Sequence, residues 1–153
     1  MNIISNLVEV HIFRETDNGI EFLLLKRAED QIYPTVWQMV TGKIKENEKA
    51  FETSLRELKE ETNLTPLKMW VAPKVNSFYS SHSDSICLIP VFAVQVKKDS
   101  KVVISNEHSE YKWITSNEAK RLLAWDGQRK AVDLIEKYFL NEKSFLKFIE
   151  INL

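Results

Sequence analysis

The chain has 153 residues, 44% of them hydrophobic, and its 21 basic and 22 acidic side chains leave a net charge of −1. A chain of this size buries roughly 70% of the surface its unfolded form exposes, so one domain with a real core is expected over residues 1–153. The charge balance gives no electrostatic case for nucleic acid or an anionic membrane as the main partner, and Cys87 as the only cysteine excludes an internal disulfide framework and a multi-cysteine zinc site.

Met1 to Val10 has no basic region leading into a long apolar stretch, so no signal peptide is expected. The apolar runs fall far below the ~20 residues that span a bilayer, and the expected location is the cytoplasm. Leu7 to Phe13 reads as a strand with Val8, Val10 and Ile12 on one face and Glu9 and His11 on the other. Ile20 to Leu25 reads as its partner, joined through the turn at Asp17-Asn18-Gly19. Val36 to Thr41, after Pro34, reads as another strand. A helix follows from about Glu48 to Thr62, with Asn47 suited to cap its start and Asn63 suited to the left-handed turn that ends it.

Lys68 to Tyr79 and Ile86 to Val96 are strand-rich in Val, Phe and Tyr. Tyr111 to Ile114 is a short strand leading into a capping box, Thr115 with Glu118, that opens a short helix through Leu123. A further helix covers about Gln128 to Leu140, with Ala131, Leu134, Ile135 and Phe139 on one stripe. Phe145, Leu146, Phe148 and Ile149 in the tail stand at helical spacing, and this apolar tail could serve a homodimer interface. The sum is an α+β fold, a mixed β-sheet sandwiched between α-helices.

The helix over 48–62 carries the chemistry. With Glu57 at zero on a wheel of roughly 100° per residue, Glu61 falls near 40° and Glu60 near −60°, so three carboxylates share one arc. Phe51, Leu55 and Leu58 fall at roughly 100° to 160° and form a separate packing stripe. Like charges at these spacings repel by a few tenths of a kcal/mol per pair, and the negative end of the helix dipole adds roughly 0.3–1 kcal/mol against each carboxylate. A divalent cation would remove both penalties, and carboxylate oxygens suit hard Mg²⁺, with Mn²⁺ as a substitute. The trio alone would equally fit a solvated Glu-rich face beside Arg56 and Lys59.

The wider spacing decides between these readings. Gly42, five residues, Glu48, seven residues, then Arg56-Glu57-Leu58-Lys59-Glu60-Glu61 resembles the box of the Nudix hydrolases, a loop–helix–loop motif. Leu64 fills its final apolar position, and Asn63 stands where the box has its second glycine. Asn tolerates positive φ next best after glycine, so the turn is kept. The resemblance implies that Glu57, Glu60 and Glu61 hold one or more metal ions together with the carbonyl at or next to Gly42. It also implies that Arg56 orients Glu57 and that Glu48, opposite Glu57 on the wheel, supports the loop.

Further segments extend the likeness over most of Glu21 to Phe139. Trp37-Gln38-Met39-Val40-Thr41-Gly42, then Glu107-His108-Ser109-Glu110-Tyr111-Lys112-Trp113, then Trp125 with Arg129 are similar to bacterial enzymes of the family acting on dATP and dihydroneopterin triphosphate. By that resemblance Glu107 supplies a carboxylate from a loop opposite the helix, as metal ligand or base. Arg27 could meet a phosphate oxygen or make a strand-end salt bridge. Trp37, Trp125, Phe78 and Tyr79 could stack on a flat ring, with Trp37, Trp125, Arg27 and Arg129 the expected substrate-binding set. His11 and His82 lack metal-ligand spacing with Cys87 and are given no role.

The implied activity is hydrolysis of a nucleoside or pterin triphosphate to monophosphate and pyrophosphate. The alternatives are cleavage of a dinucleoside polyphosphate or ADP-ribose at the same metal centre, or a silent nucleotide-binding module, which would be expected to lose its box carboxylates. A small nucleotide-like molecule is the expected partner.

Overall fold

The computed structural model describes residues 1–140 and 147–153. In chain order these form β1 (Asn2–Ile4), β2 (Leu7–Thr16), β3 (Gly19–Arg27), β4 (Trp37–Gln38), β5 (Val40–Lys43), α1 (Ala50–Thr62), β6 (Lys68–Ser80), β7 (Ser85–Gln95), β8 (His108–Ile114), α2 (Ser116–Leu122), α3 (Asp126–Leu140) and β9 (Ile149–Ile151).

β2 organises the sheet. One edge runs parallel to β7 from Glu9 to Phe13. The other is antiparallel first to β5, from Leu7 to Val10, and then to β3, from Phe13 to Thr16. β3 continues past β2 to pair with β4 and β8, and β6 and β9 extend the far side of β7. The expected turn at residues 17–19 closes the β2–β3 hairpin, with Thr16 opposite Gly19.

Helices cover both faces of this mixed sheet, so the fold is α+β as expected. Under α1, Val8, Val10, Ile12, Leu58, Phe92 and Val94 form one buried cluster. Under α2 and α3, Phe13, Phe22, Leu24, Trp70, Val132 and Ile135 form another. The alternation along β2 is as expected, but Glu9 and His11 do not meet solvent. Both are buried at 3% and 1% exposure, because α3 covers the face they point into.

Several elements differ from the sequence reading. α1 begins at Ala50, and Asn47 does not cap it. Asn47 instead takes a left-handed turn, φ 63°, because the Glu48 carboxylate accepts the Lys45 N–H at 3.1 Å and curls the loop. The Glu52 carboxylate takes the Lys49 N–H at 2.8 Å and closes the helix start. Asn63 ends α1 in the expected left-handed geometry, φ 58°. Phe51 and Leu55 are half-buried rather than core, whereas Glu61 is 4% exposed and belongs to the buried face. The run 36–41 divides at Met39 into β4 and β5, which pair with different strands. α3 starts two residues earlier than expected, at Asp126.

The tail is not helical where it is described. Ile149–Ile151 is a strand on β6, and Phe148 packs on Tyr138 with ring centroids 4.1 Å apart; Phe145 and Leu146 lie outside the described residues. An open sheet edge offers this segment backbone hydrogen bonds that helical spacing cannot foresee. β1, unanticipated, pairs in parallel with Ser85–Cys87 of β7.

Candidate active site

Arg56, in the middle of α1, is the hub of the candidate site. Its Nε and Nη2 donate to both oxygens of Glu48, at 2.7 and 2.9 Å. Its Nη1 donates to Glu57 at 2.7 Å and to Glu60 at 3.2 Å, and Nη2 also reaches the Lys43 carbonyl at 3.1 Å. A planar fork with five N–H groups suits this task and an ammonium does not. The Arg56 fork, with the Thr53 hydroxyl, holds the Glu48 carboxyl down at about 2. Arg56 itself is held charged, above its ordinary range, chiefly by Glu48.

Glu57 lies against β5. A Cβ placed on Gly42 would overlap the Glu57 carboxylate, lying 2.6 Å from its Oε1. Only glycine therefore lets the strand and this side chain approach. Burial raises the Glu57 carboxyl above its ordinary range, against the pull of Arg56. One turn on, burial pushes Glu61 up to about 9, and the charges of Glu57 and Glu107 push it the same way. Oε2 of Glu61 is buried and has no hydrogen-bond partner among the described residues.

Glu107 reaches this carboxylate pair from a loop pinned at both ends. The Val103 N–H donates to the Thr62 carbonyl at the end of α1, and the Ala28 N–H to the Glu107 carbonyl, both at 2.9 Å. Arg27, at the end of β3, is close enough to draw Glu61 back towards its charged form. It also disfavours a proton on His108, which burial, the larger cause, and Arg27 together bring down to about 4, so the ring is neutral at pH 7. Gln38 Nε2 lies 3.3 Å from His108 Nε2.

Beside these groups a cavity of about 450 Å³ opens between β2, β5, β6 and the start of α3. Thr41 lines it, next in the chain to Gly42, and Gln38 lines it while touching His108. Tyr33 and Trp125 stand at its rim, edge to face with centroids 5.6 Å apart.

The NUDIX domain family matches residues 6–135. The chain belongs to the Nudix family of hydrolases. It is 30% identical over 119 residues to a rat bis(5'-nucleosyl)-tetraphosphatase, covering 76% of this chain and 79% of that one. It is 27% identical over 147 residues to the dihydroneopterin triphosphate diphosphatase of Haemophilus influenzae, covering 88% and 87%. With the ADP-ribose pyrophosphatase of Bacillus subtilis the identity is 26% over 117 residues, covering 74% of this chain but only 61% of that protein. A Listeria monocytogenes structure described as a NUDIX hydrolase superposes with a TM-score of 0.76 at 29% identity, covering 89% of this chain and 94% of that one.

Within this Nudix fold the expected residues are placed unequally. Glu57, Glu61 and Glu107 come together with Arg27, while the Glu60 side chain, 54% exposed, turns to Arg56. Among the described residues no three His, Cys, Asp or Glu side chains already close on a common point. The donor set still fits a hard divalent cation, because a buried carboxylate oxygen without a donor sits among like charges. Trp125 lines the cavity. Trp37 does not: it packs against the α2–α3 core, and the Lys112 ammonium lies 4.8 Å from its ring centroid. Arg129 donates to the Leu123 carbonyl at 2.7 Å and so ties down the start of α3. Arg27 donates to the Ile32 carbonyl at 2.5 Å while facing the carboxylates.

Asn76 and Gln128 have no motif to announce them, and Gln38 and His108 lie in the family-like segments without being singled out there. For Gln38, the available signal is an amide inside an otherwise apolar run. For Glu9 and His11 it is polar residues on a strand whose both faces turn out to be covered.

Proposed function

We propose that this chain is a Mg²⁺-dependent pyrophosphohydrolase, with Mn²⁺ able to substitute, that cleaves a nucleoside or pterin triphosphate to monophosphate and pyrophosphate. Residues 1–153 are read as its single domain. The observation that carries this reading is Glu61, a buried carboxylate with a partnerless oxygen beside Glu57 and Glu107. An apolar interior does not retain such a group without a cation or proton to complete it. Glu57, Glu60, Glu61 and Glu107, with the Gly42 carbonyl, would hold the metal, which when bound supplies polarisation of a phosphate oxygen and a more acidic water.

The chain's own residues do the rest. Arg56 fixes Glu57 in one orientation, and Glu57 or Glu107 accepts the proton of the attacking water. Arg27 neutralises charge that spreads over the phosphate oxygens. Trp125 offers a ring face at the cavity rim, while Trp37 and Arg129 support the walls. The partner is a small nucleotide-like molecule, not nucleic acid or a membrane. No helix among the described residues is long and apolar enough to cross a membrane. The cytoplasm is the proposed location, and the apolar tail the proposed homodimer contact.

Pyrophosphate release from dATP, dGTP and a pterin triphosphate is expected in Mg²⁺ and lost in excess EDTA. Full activity in chelator overturns the metal reading. Turnover of ADP-ribose or a dinucleoside tetraphosphate, with none of the triphosphates, transfers the assignment to the chemistry named for the B. subtilis and rat relatives. Binding of these compounds without turnover leaves a nucleotide-binding module. Glu107→Gln is expected to lower kcat far more than it raises KM. Glu110→Gln, whose carboxylate only meets Lys26 at 3.2 Å on the surface, is expected to behave like the wild type.

A further inference from the structure

The cavity beside the carboxylates has an unusual polar end. Among the described residues no Lys or Arg lines it, so the polyphosphate belongs with Arg27 and the ring of the substrate belongs here. The side chains at that end are Glu9, Asn76 and Gln128. Asn76 Nδ2 donates to Glu9 Oε2, and because a carboxylate only accepts, this fixes the amide's orientation and leaves its carbonyl oxygen for another partner. That oxygen faces the start of α3, where a Cβ on Gly127 would come within 2.5 Å of it. The next residue, Gln128, brings a second carbonyl oxygen, Oε1, which is buried and without a hydrogen-bond partner among the described residues. Glu9 Oε1 is sealed against His11, whose Nε2 lies 3.3 Å away without hydrogen-bond geometry.

Two amide side chains, with the Glu9 carboxylate held behind Asn76, therefore line an end of the cavity where no Lys or Arg stands among the described residues. The buried Gln128 Oε1 calls for a donor from whatever fills the space, and the Asn76 Oδ1 accepts beside it. We propose that the Glu9–Asn76–Gln128 set selects a ring whose edge presents adjacent N–H donors. That is the 2-amino-4-oxo edge shared by guanine and pterins, in preference to adenine, whose corresponding edge sets a ring acceptor beside one amino donor. Asn76 and Gln128 meet the ring. Glu9 is a positioning residue that holds the Asn76 amide and supplies the negative charge favouring donors. The inference rests on the proposed nucleotide or pterin substrate and narrows it to one ring class.

Calorimetric titration of the full chain with GMP, IMP and AMP in excess EDTA tests the assignment without turnover. GMP is expected to bind about tenfold or more tighter than AMP, and tighter than IMP, which lacks the 2-amino group. Equal affinities, tighter AMP binding or no detectable GMP binding overturns the proposal. Glu9→Gln is expected to shrink the GMP-to-AMP ratio to near unity while AMP binding holds, whereas a merely structural residue would weaken both alike. Gln128→Met, at a half-buried position on the helix surface, tests the same ratio if Glu9→Gln fails to fold; an unchanged ratio in a folded variant overturns the proposal. Guanosine against neopterin then shows which ring is preferred. Selective GMP binding by a protein that hydrolyses nothing would sink the proposed activity and keep this inference, and indiscriminate binding by an active enzyme would do the reverse.

Discussion

Glu48 and Glu61 are the same residue type, at the two ends of one segment, and their carboxyls are driven in opposite directions. Glu48 accepts a two-pronged bond from Arg56 and further bonds from Thr53 and Lys45, and is held at about 2. Glu61 is buried beside two other carboxylates and is pushed up to about 9, chiefly by that burial. Donors inside the protein complete the first group, and nothing among the described residues completes the free oxygen of the second. The difference matches the proposed roles: a carboxylate already satisfied suits support of the loop, and one left unsatisfied suits binding.

Glu61→Gln is expected to have the largest effect. Activity in Mg²⁺ is expected to fall by about 10²–10³-fold, as for loss of one group that stabilises transition-state charge. A carboxyl with a raised folded value binds its proton more tightly when folded, so wild-type stability in chelator declines as pH rises from about 4.5 to about 9. The Gln variant is expected to lack that decline and to melt no lower than wild type at pH 8. A clear loss of melting temperature there would show that the Glu61 charge is satisfied by the fold.

Gly42→Ala comes next, since its methyl would strike the Glu57 carboxylate. Roughly 1–3 kcal/mol of stability is expected to go, with activity falling more than tenfold because a small displacement of a reacting group is strongly felt. Normal turnover in this variant would mean that Glu57 need not lie against β5. The smallest effect is Glu48→Gln at neutral pH. Its depressed carboxyl contributes stability that is present above about 4.5 and lost as pH falls through about 2. The variant is expected to flatten the acid limb of a pH–melting curve, and an unchanged limb would remove Glu48 from the Arg56 network's role.

By itself the sequence determined the strand–helix order from β2 to α3 apart from the division of 36–41, with the two-faced α1 and the Gly42–Glu48–Arg56–Glu57–Glu60–Glu61 spacing, because these depend on periods of two and 3.6 residues and on local turn chemistry. The hairpin at 17–19, the Asn63 turn and the Thr115–Glu118 box are local in the same sense. Tertiary structure alone decided what lies on top of what. Burial of Glu9, His11 and Glu61 depends on elements distant in the chain, and so does the strand at 149–151, which needs the free edge of β6. Trp37 and Arg129 look like Trp125 and Arg27 as residue types, yet Trp37 packs on the α2–α3 core and Arg129 holds the Leu123 carbonyl, while Trp125 lines the cavity and Arg27 lies near the carboxylates. The acceptor-lined end of that cavity joins β2, β6 and α3 across more than a hundred residues of chain. No local pattern can encode a contact of that range, because only the folded sheet brings its parts together.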